Sequence, residues 1–337
     1  MMQVRNWNLD LAKALAMLLV VMQHAWSMLD LDNPELGLLC GGYRAVSTIG
    51  VPLFVFVSGA LLLSRKSDSL LLFYKKRFIR LLIPFFLFAL VMYVISLLMG
   101  KYEWWNGKII TAVLQFIPSL FENKINVMHW FVHMLLFLYL LTPFIQRILV
   151  TLSQREVEGI LVVWIIGMLL KQYYPEMNIL SYTSNLWRYL GIYIAGYYVN
   201  QYRVGKSFYC YVGLVVTLGL FVVNAITDCT VQLGVPFTAL MIGLMCLNLP
   251  ISDNVSQNIF GHIVMQISRY TYTIYLIHVL LISVIYLIIE KTYTDILINY
   301  IGIIPLIVSV LVMFVCYVIC VCYDRIKCLP NKFIGIG

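Results

Sequence analysis

Apolar runs of membrane-spanning length recur from one end of the chain to the other, at 9–29, 44–64, 79–99, 129–149, 158–174, 186–201, 208–227, 233–250, 270–289 and 300–323. A hydrocarbon core about 30 Å thick needs roughly 20 apolar residues per helix, so these runs predict about ten transmembrane helices in one all-α, polytopic bundle. Turn and breaker residues separate them, as at Asn33-Pro34, Gly41-Gly42, Tyr174-Pro175 and Asp253-Asn254. The stretch Lys108 to Phe121 is apolar but short and interrupted by Pro118, and is expected to lie at the interface or re-enter. The first run follows a single Arg5 and no small-residue cleavage site trails it, so it is expected to be a retained helix and not a signal peptide. No internal repeat or soluble domain is evident.

Composition agrees. Of 337 residues, 62% are hydrophobic and 11% charged, and the mean hydropathy is +0.91, which excludes a water-soluble globule. The net charge of +8 does not signal nucleic acid, because the basic residues sit in short clusters between the apolar runs. With the N-terminus inside, fifteen of the 23 Lys and Arg fall on the cytoplasmic side and seven outside, with Lys13 within the first run, so both termini are expected to be cytoplasmic. Most of the eight cysteines lie in apolar runs, where packing is the expected role; Cys320, Cys322 and Cys328 lack zinc-site spacing, and no metal is expected. Cys40 and Cys229 share the outer side, where a disulfide is conceivable in an oxidising compartment.

Ionisable residues inside a membrane helix are costly and each asks for a reason. Lys13 and His24 are eleven residues apart, which brings them within roughly 20° of one helix face and about 16 Å apart along the axis. Lys13 could instead snorkel to the interface, with His24 a hydrogen-bonded residue of the bundle. Lys75, Lys76, Arg77 and Arg80 cluster at the inner mouth of the third helix, where two guanidinium forks three residues apart can grip phosphate oxygens; the plainer reading is an anchor to anionic lipid. His129, Trp130 and His133 open the fourth span, without the glutamate or third ligand of a zinc motif, and suit a polar gate or substrate contact. Tyr270, Tyr272, Tyr275 and His278 form a fourth group near the start of the ninth span, where tyrosines often serve only as an interfacial belt. Asp10 is expected at the cytoplasmic interface, about 21 Å from His24, so any carboxylate that orients His24 should come from elsewhere, with Asp30, Glu35 and Glu122 as candidates.

In that order the motifs resemble the acyltransferase 3 family of integral-membrane acyltransferases. Asn8-Leu9-Asp10-Leu11-Ala12-Lys13-Ala14 with Val20-Val21-Met22-Gln23-His24 is similar to its first-helix signature; Gly50 to Gly59 to its second block; Lys76-Arg77-Phe78-Ile79-Arg80 with Pro84 to its Arg-x-x-Arg block; His129-Trp130-Phe131 with Thr142-Pro143, and Tyr270 to His278, to the remaining two. The resemblance spans residues 8 to 278 and implies one membrane-embedded acyltransferase domain over 1–337, a stand-alone member without an appended extracytoplasmic domain. It implies transfer of an acyl group, commonly acetyl, from cytoplasmic acyl-CoA to a hydroxyl of a cell-envelope glycan or lipid-linked sugar. The expected setting is a bacterial cytoplasmic membrane, with the lipid bilayer, acyl-CoA and the glycan as partners and no permanently bound cofactor.

The resemblance also makes His24 the essential residue. On this expectation Arg77, Arg80, Lys75 and Lys76 hold the coenzyme phosphates, Lys13 lines the way to the thioester, and His24 acts as general base or acyl-carrying nucleophile. His129, Trp130, Tyr275 and His278 would contact the acceptor or the oxyanion. A transporter of polysaccharide or metabolite, or a non-catalytic assembly subunit, is the competing class; neither consumes acyl-CoA.

Overall fold

A computed structural model describes residues 6–28, 42–43, 45–65, 69–105, 107–126, 128–174, 184–202, 211, 215, 219, 234–249, 258–292 and 302–333. Among these, ten helices follow one another with no strand: α1 Trp7–Ser27, α2 Gly50–Leu62, α3 Leu70–Leu98, α4 Ile109–Phe121, α5 His129–Thr151, α6 Gln154–Tyr173, α7 Ser184–Tyr202, α8 Gly234–Asn248, α9 Ile259–Thr292 and α10 Ile304–Phe333. Among the described residues, six segments are long and apolar enough to cross a bilayer: α1, Ala45–Leu62, α3, α5, Ile259–Glu290 and Ile304–Tyr323. The chain is therefore an all-α, multi-pass membrane protein. The span expected over 208–227 and the Cys40–Cys229 pair lie outside the described residues, apart from the isolated positions 211, 215 and 219.

Two helices begin earlier than the apolar runs. The third starts at Leu70, not 79, capped by the Ser69 hydroxyl, which accepts from the Leu72 amide, so the Lys75–Arg80 cluster is inside the helix. The ninth starts at Ile259, not 270, which moves Tyr275 and His278 to mid-helix. In both, the helix outlasts its hydrophobic stretch, because intrahelical hydrogen bonds satisfy the backbone regardless of what the side chains meet.

The chain forms two compact units, Met1–Ser64 with Ser153–Gly337, and Arg65–Leu152. In the first, α1 is the central element, packed against α2, α8, α9 and α10. Its sequence suits this: alanines at 12, 14, 16 and 25 keep it slim, and buried residues occur all round it, as a helix enclosed by others requires. Asn6 caps its start by accepting from the amides of Asn8 and Leu9. The Asn8 side chain then donates to the carbonyls of Leu247 (2.8 Å) and Leu249 (3.2 Å), closing the end of α8.

The tightest packing is between α2 and α7. A Cβ on Gly59 would collide with the Tyr193 carbonyl, and one on Gly196 with the Phe56 carbonyl. Each helix thus lends a glycine to the other's backbone, the small-residue contact that membrane helices use in place of hydrophobic collapse. Asn200 adds bonds to the Ala60 carbonyl and the Ser64 hydroxyl.

In the second unit α3 packs on α5 and, less closely, on α4. Ile83, Leu87, Val91, Val94 and Leu98 form an exposed stripe along α3 at helical spacing, a surface that only lipid would cover. Ala112, Ser119 and Leu120 are buried on α4, while Ile109, Ile110, Val113 and Leu114 are exposed. Its 13 residues are too few to span, as expected for an interfacial segment.

Candidate active site

His24 lies on α1, buried, three residues before the helix ends. Beside it is His278 of α9, with no exposed surface. His278 Nε2 and His24 Nδ1 are 2.9 Å apart, with ring centroids at 4.9 Å. The other nitrogen of His278, Nδ1, faces the carbonyls of Tyr275 (2.6 Å) and Ile274 (3.2 Å).

These contacts assign the protons. Carbonyls only accept, so His278 Nδ1 carries hydrogen and donates. In the neutral ring Nε2 is then an acceptor, and the hydrogen between the two rings belongs to His24 Nδ1. His24 Nε2 is left with its lone pair. Sequence reasoning looked for a carboxylate to orient His24, whereas a histidine fixed by its own helix does so.

Three polar ties hold α1 and α9 side by side, running in the same direction. Near the start the Ser268 hydroxyl bonds to Asp10 Oδ1, in the middle stands the histidine pair, and beyond it the Tyr286 hydroxyl donates to the Ala25 carbonyl (2.7 Å). Asp10 is buried by this contact, which ties α1 to α9. Tyr275 is buried next to His278, centroids 5.7 Å apart, and Tyr272 stacks on Tyr275 in turn. The belt reading of this tyrosine group thus fails for Tyr275, which is interior. Lys13 is half-buried on α1, an unbroken helix from Trp7 to Ser27, so its expected rise of about 16 Å below His24 holds.

The remaining candidates belong to the second unit. Lys75, Lys76 and Arg80 are exposed on α3, while Arg77 is half-buried with its guanidinium 5.8 Å from the centre of the Phe73 ring. His129 is 2% exposed, packed edge-on against Phe85, and neither ring nitrogen has a hydrogen-bond partner. His133 stacks on Phe121, with Nε2 also buried and unpaired. Trp130 lies against Phe131. Glu122, one of the three candidate orienters, pairs with Lys124 at 2.5 Å on the surface; the other two, Asp30 and Glu35, lie outside the described residues. No group of three or more His, Cys, Asp or Glu able to hold a metal occurs among the described residues.

A bundle of apolar helices thus encloses a pair of hydrogen-bonded histidines. The family model described as Acyltransferase domain matches residues 6–325, and the chain belongs to that family: it is a membrane acyltransferase. No curated protein and no solved structure matches it.

Proposed function

We propose that the chain moves an acyl group, commonly acetyl, from cytoplasmic acyl-CoA to a hydroxyl of a cell-envelope glycan in a bacterial cytoplasmic membrane, with His24 as general base. The observation that carries this reading is the hydrogen bond from His24 Nδ1 to His278, because it leaves Nε2 as the one basic atom of the pair. An acceptor hydroxyl would give its proton to Nε2 as its oxygen attacks the thioester carbonyl. The C–S bond then breaks, and the departing thiolate takes the proton back from the imidazolium. His278 Nε2 supports that transient charge by accepting a hydrogen bond from the charged ring, which is stronger than one from the neutral ring. The same lone pair would serve a covalent route through acyl-imidazole, distinguished by a mass increase of one acyl group on the peptide containing His24.

For the donor, the reading assigns Arg80, Lys75, Lys76 and Arg77 to the coenzyme phosphates and Lys13 to the lining of its path. Tyr275 walls the histidine pair, and His129 and Trp130 are assigned to the acceptor; the unpaired nitrogens of His129 support a polar ligand there. The acyl-CoA is a substrate, not a resident cofactor. Purified protein should release thiol from acetyl-CoA when given acceptor glycan, and His24→Ala should not. A transporter or assembly subunit would release none in either form.

A further inference from the structure

Helices α6 and α7 of the first unit pack antiparallel through two interlocked tryptophans. The Trp164 ring lies on Gly191, and a Cβ on Gly167 would meet Trp187 Nε1 at 2.6 Å, so each helix supplies a glycine floor for the other's indole. Trp164, Gly167 and Lys171 follow one face of α6 at steps of three and four residues, and Trp187, Arg188 and Gly191 line the facing side of α7. Trp164 is 6% exposed. Its Nε1, that of Trp187 and the Nε of Arg188 are all buried without a hydrogen-bond partner.

All three orphaned atoms are donors, and none can accept. Lys171 lies close enough to Arg188 for the two like charges to act on each other, and the guanidinium also meets the phenol of Tyr189. The acids of this helix pair are engaged at its opposite end. Glu158 accepts from the Tyr198 hydroxyl at 2.6 Å and Glu156 closes the Ser153 cap; α7 has no Asp or Glu. Thirteen residues separate Glu158 from Lys171, about 20 Å along the axis. Among the described residues these buried donors have no acceptor and no acid faces the two cations; each is unfavourable, and one ligand removes both penalties.

We propose that Trp164, Lys171, Trp187 and Arg188 form a binding site for an oxyanion, the phosphate or carboxylate of a membrane-bound ligand. The ligand is either an anionic phospholipid headgroup or the acidic group of the glycan acceptor; both present the same oxygens to the same donors. The site does not involve the histidine pair, so its failure leaves the acyl-transfer reading untouched.

The test is the thermal midpoint of the purified full-length chain in phosphatidylcholine nanodiscs. One arm adds phosphatidylglycerol; the other titrates inorganic phosphate against potassium chloride of equal ionic strength. At least one should raise the midpoint, and Arg188→Gln or Lys171→Gln should weaken that apparent affinity about tenfold, the loss expected for one charge-assisted bond. A response to phosphatidylglycerol alone identifies lipid; a response to phosphate in phosphatidylcholine identifies an acceptor-type anion. If Arg188→Gln does not fold, Trp164→Phe, which keeps the ring and deletes the donor, should show the weakening. No response to either probe, or the same response in wild type and variants, overturns the proposal. Glu176, five residues beyond Lys171, lies outside the described residues; a Glu176→Gln protein that is less stable alone and newly responsive to phosphate also overturns the proposal, since the cations would then be paired within the chain.

Discussion

Replacing His278 by alanine removes the acceptor 2.9 Å from His24 Nδ1 and with it the link between that proton and the carbonyls of Tyr275 and Ile274. His24 then loses the partner that fixes which of its nitrogens is basic, and the imidazolium formed during transfer loses a charge-assisted hydrogen bond. Such a bond contributes about 1.5–3 kcal/mol, and because it strengthens only as charge develops, the loss should fall on kcat: about 10- to 150-fold. The KM for acetyl-CoA should stay near its wild-type value. Thiol release by protein in nanodiscs measures both, with folding checked by thermal midpoint. In the double variant His24→Ala/His278→Ala, activity should be no lower than in His24→Ala alone, since a positioning residue has nothing left to position. A folded His278→Ala protein with wild-type kcat, or one altered only in KM, would refute the reasoning.

Gly196→Ala should lower the thermal midpoint by driving α7 off the Phe56 carbonyl of α2, at a cost of about 1–3 kcal/mol; calorimetry checks it, and a wild-type midpoint would mean that the helices stand further apart. Arg80→Ala, which removes an exposed guanidinium of α3, should weaken coenzyme A binding about tenfold in titration calorimetry while leaving the midpoint unchanged; equal affinity would return the cluster to membrane anchoring. At the start of α6 the Ser153 side chain and backbone hydrogen bonds hold the Glu156 carboxyl below its usual range. A folded value below the unfolded one means that this stabilisation is complete above the unfolded pKa and is lost as pH falls through the folded one. Glu156→Gln should therefore flatten the acid limb of the stability profile, and an unchanged profile counts against the cap.

Which parts of this were legible in the sequence follows from how local each signal is. Six of the spans were, because a run such as Phe85 to Ile95 is apolar at every step. His24 was too, since an imidazole inside an apolar run stands out without any knowledge of its neighbours. Its partner was not: His278 is 254 positions away, and only the parallel register of α1 and α9 brings the rings together. The same register hid the Asp10–Ser268 bond. Hydropathy placed the start of α3 late, because Lys75, Lys76, Arg77 and Arg80 interrupt the apolar run although the helix carries them without a break. Trp164 and Trp187 passed as ordinary span residues, since only the glycine opposite each one shows where its ring lies.

The account turns on which nitrogen of His24 keeps its lone pair, and nitrogen NMR of histidine-labelled protein reads this directly, with His24→Ala assigning the signals. It predicts a protonated Nδ1 and an unprotonated Nε2 at His24, and the same pattern at His278. A His24 carrying its proton on Nε2 would point its lone pair at His278 and contradict the mechanism.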